Sequence, residues 1–150
     1  MTPFEAPKAI VYPTFAIRKV LGQLNGSLNV WWYTHWHATF LRHALVKYLS
    51  DGKPRVVYAQ NPPSAWAALK ARKTGLQRVV MAVHYNMSEA TEWADKGLIS
   101  NDGLMYRAIQ AREAEVLRQV DGIVYVSEFM HRIVLEKTPG IERIPYKVIP

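Results

Sequence analysis

Arg78-Val79-Val80-Met81-Ala82-Val83-His84 is the stretch that decides the fold. Val79 to Val83 are all apolar, no charge interrupts them, and a histidine closes the run. A short valine-rich run that is apolar at consecutive positions buries both of its faces. That is the pattern of a central strand in a parallel sheet. In open α/β sheets, ligands bind in the crevice beyond the carboxyl ends of the strands. His84 therefore stands where such a site forms, ahead of a polar, acid-bearing stretch, Tyr85-Asn86-Met87-Ser88-Glu89.

The same punctuation repeats on either side. Arg55 to Ala59 reads as the preceding strand, and Gln60-Asn61-Pro62-Pro63-Ser64 as its loop. Pro63 or Ser64 opens a helix through Trp66 and Leu69 that Thr74-Gly75 ends. After His84, Ser88 to about Lys96 reads as helix, with Gly97 as its stop. Asn101-Asp102-Gly103 turns into a longer helix, Leu104 to about Val120, which Asp121-Gly122 breaks. Ile123 to Val126 is a strand, Ser127 caps a helix through Phe129, Ile133 and Leu135, and Tyr146 to Ile149 begins a last strand. This alternation implies right-handed βαβ units: an α/β, Rossmann-like parallel sheet with helices on both faces.

The amino-terminal part reads differently. Ala9 to Tyr12 is a β-prone run stopped by Pro13. Ala16 to Leu24 is a short basic helix, and Asn25-Gly26-Ser27 is a turn. Leu28 to Tyr33 is β-prone and suggests a further strand. Thr34 or His35 starts a helix to about Leu49, with Phe40, Leu41, Ala44, Leu45 and Tyr48 on one face.

The 150 residues are enough for one domain with a sizeable core. With 49% hydrophobic and 21% charged residues, the composition is that of a globular protein and not a disordered one. The absence of cysteine excludes disulfides and thiolate metal sites, and fits a reducing compartment. No basic n-region followed by an apolar h-region opens the chain, and no apolar run approaches the ~20 residues that span a bilayer. The net charge of +7 is unevenly placed: residues 1–80 carry +9 and residues 81–150 carry −2. A basic half attracts anionic partners or is simply a solvated surface.

From Arg55 onward the chain resembles the amino-terminal, acceptor-side domain of a family 4, GT-B-type glycosyltransferase. The resemblance rests on four stretches in order. They are Arg55-Val56-Val57-Tyr58-Ala59-Gln60 with the small-residue helix after it; Val79 to His84; Glu113 eight residues before Asp121, which opens Ile123-Val124-Tyr125-Val126-Ser127; and Lys147-Val148-Ile149-Pro150. Residues 1–54 match less closely and read as a basic, aromatic segment of the same domain, with 55–150 as its Rossmann-like half. The strand and Gly-Gly loop with which members begin has no counterpart, and neither does the donor-binding second domain. The chain therefore reads as an internal slice, with a second chain or domain completing the fold.

The resemblance implies a nucleotide-sugar donor as co-substrate, no cofactor, no obligatory metal and retention of anomeric configuration. It assigns His84 the hydrogen bond to the transferred sugar and Glu113 a supporting role. Read from the residues alone, an imidazole at a strand's end can donate or accept a proton near neutral pH, or it can be satisfied by a neighbouring loop.

Gln60, Asn61, Tyr85 and Ser127 lie just past strand ends and are the candidate substrate-binding residues. Asn61 equally suits turn chemistry ahead of Pro62, and Ser127, with no G-x-S-x-G around it, suits a helix N-cap. His35 and His37 share a face only in an extended segment and lack a third ligand, so no metal is expected there. Trp31, Trp32, Tyr33, Trp36 and Phe40 suit core packing, or stacking on sugars or single-stranded nucleic acid.

Two functions from different classes follow. One is the acceptor-side half of a retaining glycosyltransferase, cytoplasmic or peripheral to the inner face of the membrane, and inactive alone. The other is a non-catalytic basic module for an anionic membrane surface, nucleic acid being the poorer partner. A dinucleotide oxidoreductase is disfavoured because no G-x-G-x-x-G follows any strand.

Overall fold

A computed structural model describes residues 7–84 and 88–149. Four parallel strands, β1 (Arg55–Ala59), β2 (Gln77–Val83), β3 (Gly122–Tyr125) and β4 (Tyr146–Val148), form one sheet in the order β1-β2-β3-β4. Helices α1 (Lys8–Leu24) and α2 (Gly26–Tyr48) precede the sheet. The crossovers are α3 (Pro62–Ala71), the pair α4 (Glu89–Asp95) and α5 (Leu104–Leu117), and α6 (Glu128–Lys137). The α/β, Rossmann-like parallel architecture expected from the sequence is present.

Register aligns Val57 with Val79, and Met81 with Ile123. These residues, with Ala59, Val83 and Tyr125, share one sheet face and pack on Leu41, Leu45, Ala65, Ala68, Val116, Leu117, Met130 and Val134 from α2, α3, α5 and α6. Strand order that follows chain order returns each right-handed crossover to the same side, so helical cover is heaviest there. On the opposite face Val56 and Tyr58 stay exposed, while Ala82 is buried.

Two polar locks hold the strand starts. Buried Gln77 donates to the Leu49 carbonyl at 2.8 Å and accepts from the Lys73 amide at 2.7 Å. Asp121 accepts from the Val79 amide at 2.8 Å and from Arg72 Nη1 at 2.9 Å.

The amino-terminal expectations need correction. Residues 9–12 and 28–33 form no strand; they belong to α1 and α2. Valine and aromatic residues favour strands locally, but burial over a longer window is helical and prevails. On α2, Val30, Thr34, Ala38, Leu41 and Leu45 recur three or four residues apart and are buried. Pro13 does not stop α1. It sits within the helix on the exposed side, where its ring meets solvent. The turn at residues 25–27 shrinks to one extended residue: the Asn25 amide closes α1 on the Leu21 carbonyl, and its side chain accepts from the Ser27 and Leu28 amides to open α2. At this joint a Cβ on Gly26 would meet the Leu98 carbonyl oxygen at 2.6 Å, so only glycine lets the hairpin approach the loop after α4.

Val30 then joins Ala90, Ile99 and Ile109 in a second core, and Val11 and Phe40 form a third between α1 and α2. Among the described residues no helix is long and apolar enough to cross a membrane.

Candidate functional site

Three helices, α3, α4 and α6, follow the carboxyl ends of β1, β2 and β3, and each begins with a side-chain cap. Asn61 and Ser64 form a reciprocal capping box at α3, with the Ser64 amide 2.9 Å from Asn61 Oδ1. Ser88 caps α4, accepting from the Thr91 amide at 3.0 Å, and Thr91 Oγ1 in turn contacts Tyr106 Oη at 3.1 Å. Ser127 caps α6 through the Met130 amide at 3.2 Å.

Between the amino ends of α3 and α4 and the α1–α2 hairpin lies a cleft of about 420 Å³, lined by Arg18, Tyr33, Asn61, Pro62, His84, Glu89, Glu92, Trp93 and Lys96. His84 is exposed on its wall. The rings of Tyr33 and Trp93 meet edge to face with centroids 5.9 Å apart. A cation lies over each ring, the Arg18 guanidinium 4.5 Å from the centre of Tyr33 and Lys96 Nζ 5.1 Å from that of Trp93. Arg18 is further held by Asn29, its Nε 2.8 Å from Oδ1. Lys96 also lies 3.9 Å from Glu92.

The cleft's electrostatics centre on Glu89. Burial pushes its carboxyl up to about 7, opposed by a hydrogen bond from Trp93 and by the charge of Arg112, and aided by Glu92. Tyr33 is raised above its ordinary value, chiefly by burial and secondarily by Glu89, with Arg18 opposing. His37, against the Tyr33 ring at 4.9 Å, is lowered by burial and by Arg18. A carboxyl that ionises near neutrality, beside aromatic faces and fixed cations, can change its hydrogen-bonding role as it binds a ligand.

The structure thus brings His84 and Asn61 into one cleft. Gln60 is exposed and does not line it. Ser127 is not among its lining residues either, and its oxygen is engaged as a cap. Tyr85 lies outside the described residues. Glu113 is buried on α5 and lines a separate cavity of about 220 Å³ with Ser88, Gln110 and Thr138. His35 stacks on Trp31 and His37 on Tyr33, on different sides of α2. Among the described residues no group of three or more His, Cys, Asp or Glu could hold a metal ion.

Sequence reasoning placed Tyr33 among aromatic residues suited to core packing or sugar stacking, and missed Arg18, Glu89, Trp93 and Lys96 as site residues. Glu89 and Trp93 did leave a signal: a carboxylate directly after an N-cap serine, and an aromatic residue one helical turn later.

The model of the family described as a glycosyl transferase 4-like domain matches residues 15–150. The match begins inside α1, so it takes in the hairpin that supplies Arg18 and Tyr33 to the cleft. No curated protein and no solved structure matches the chain.

Proposed function

Because the chain belongs to the glycosyl transferase 4-like domain family, we propose that it supplies the acceptor-side wall of a nucleotide-sugar-dependent, retaining hexosyl transfer site in the GT-B manner. The observation that carries this reading is the convergence of His84, Asn61 and Glu89 on the Tyr33–Trp93 ring pair in one cleft at the carboxyl edge of the sheet.

The arrangement suits a saccharide. Sugar rings have an apolar C–H face and a rim of hydroxyls. The two aromatic rings take the face, and the carboxyl, amide and imidazole groups take the rim. His84 hydrogen-bonds the transferred sugar. Glu89, ionised in part at neutral pH, accepts from acceptor hydroxyls through charge-assisted bonds. As positive charge grows on the sugar ring in the oxocarbenium-like transition state, Asn61, held by its capping box, and the largely buried Glu89 need little reorganisation to stabilise it. The donor diphosphate is gripped by a second domain or chain, so the 150 residues alone turn over little or no nucleotide-sugar. The reading places the reaction in the cytoplasm, in keeping with the lack of cysteine.

Saccharide titration by saturation-transfer NMR, paired with a turnover assay on UDP- and GDP-sugars, tests this. Sugar binding that His84→Ala weakens, with negligible turnover, is expected. Robust turnover by the 150 residues overturns the division of labour, and the absence of any saccharide binding overturns the assignment of the cleft.

A further inference from the structure

The α1–α2 hairpin carries a line of apolar side chains that no part of the described structure covers. Ile10, Ile17, Val20 and Leu24 of α1, with Leu28 and Trp31 of α2, are each between 45% and 76% exposed. The first four recur at helical spacing. The opposite side of α1, through Val11 and Phe15, packs on Phe40 and Trp36. A helix at a solvent boundary has a polar outer face; α1 is apolar inward and again outward.

The charge beside this line is of one sign. Residues 6–50 contain five Lys/Arg and no Asp or Glu. On α1, Lys8, Lys19 and Tyr12 are exposed and bound one flank of the outward arc. A second copy docked on this face would bring the same cations against themselves, and nucleic acid would leave the apolar line unburied. We propose that the hairpin docks in the plane of an anionic lipid bilayer. Its apolar line is buried at the level of the headgroups, Trp31 lies at the interface, and Lys8 and Lys19 reach up to acidic headgroups along their methylene stems. Arg18, on the same helix, lines the cleft, so the docked protein opens its candidate site next to the membrane surface. The inference stands whether or not the cleft transfers sugar.

Vesicle sedimentation tests it, with phosphatidylcholine alone and with added phosphatidylglycerol. The protein is expected to bind the anionic vesicles about tenfold or more tightly than the neutral ones, to release severalfold at raised salt, and to show a blue shift in tryptophan emission on binding. Ile17→Asp with Leu24→Asp is expected to lose about tenfold or more in binding while keeping its helical circular dichroism; Ile17→Ser with Leu24→Gln serves if that pair fails to fold. Lys8→Glu with Lys19→Glu weakens binding to the anionic vesicles only. No binding to anionic vesicles at low salt overturns the proposal. So does undiminished binding by a folded polar-line variant, or a dimer in light scattering that those variants dissociate.

Discussion

Trp93 stands one helical turn after Glu89 on α4, and its indole favours the ionised form of that carboxyl. Burial outweighs this, and the carboxyl is pushed up to about 7. An unfolded glutamate titrates near 4.5. Between those values the folded chain holds a proton that the unfolded chain has released. The contribution of Glu89 to stability is therefore greatest below about 4.5, falls as pH rises through this window, and is level above it. The loss is at most about 3 kcal/mol. Glu89→Gln is expected to flatten the profile and to be the more stable protein at pH 8. Urea denaturation at pH 5 and pH 8 checks this, and equal slopes for both proteins would refute it.

His84 is exposed at the end of a buried strand, so its removal touches binding and leaves the core alone. His84→Ala is expected to change stability by no more than about 0.5 kcal/mol while weakening saccharide binding severalfold. Trp93→Ala removes a ring that also packs on the second core, and is expected to lose both. The contrast between the two variants, read by calorimetry and by NMR titration, separates recognition from scaffolding. Equal losses in stability would count against His84 as a ligand-facing residue.

The sheet and its crossovers were legible because β1, β2 and β3 centre on short apolar runs with Gly, Pro, Asn or Asp on at least one side, as at Asp51-Gly52, Asn61-Pro62, Gly75 and Asp121-Gly122. His84 and Asn61 were legible by the same rule, since they stand at strand ends. The hairpin was not. Val30-Trp31-Trp32-Tyr33 looks like a strand over four residues, and only the burial of Thr34, Ala38, Leu41 and Leu45 further along shows one helix. The opposite cleft wall was hidden for a related reason. Tyr33 meets Trp93 across some sixty residues of chain, with Arg18 over the Tyr33 ring, and no local pattern encodes that. Glu113 and Asp121, eight apart, show why a recurring spacing need not mark one site. One lines a cavity beside α6, and the other ties strands together.

Asn61 does two jobs, lining the cleft and capping α3. Asn61→Ala removes the acceptor for the Ser64 amide and is expected to cost about 1 kcal/mol. Asn61→Asp keeps the cap, so its stability should stay near that of the parent. Any change in saccharide affinity in the Asp variant then reports on the cleft alone. Denaturation curves and a matched titration decide it; an unchanged midpoint for Asn61→Ala would show that the capping box does not contribute.

Asp121 is the pin between the two central strands. Its carboxylate accepts from the Val79 amide of β2 and from the guanidinium of Arg72, the residue that closes α3. Its own amide returns a bond to the Val79 carbonyl at 2.8 Å. Because Val79 is fully buried, Asp121→Ala leaves its amide without a partner and Arg72 without its counter-ion. That is expected to cost about 2–3 kcal/mol. Asp121→Asn can still accept from the Val79 amide but loses the charge that holds Arg72; the pair is partly exposed, so the cost should be nearer 1 kcal/mol. The two variants should also differ in salt dependence. The gap between parent and Asn variant should narrow at high salt, as a screened ion pair does, while the Ala variant stays weak. Denaturant titration at low and high salt checks the ordering. If Asn proves as damaging as Ala, the guanidinium and not the backbone bond is what holds β2 in register beneath His84.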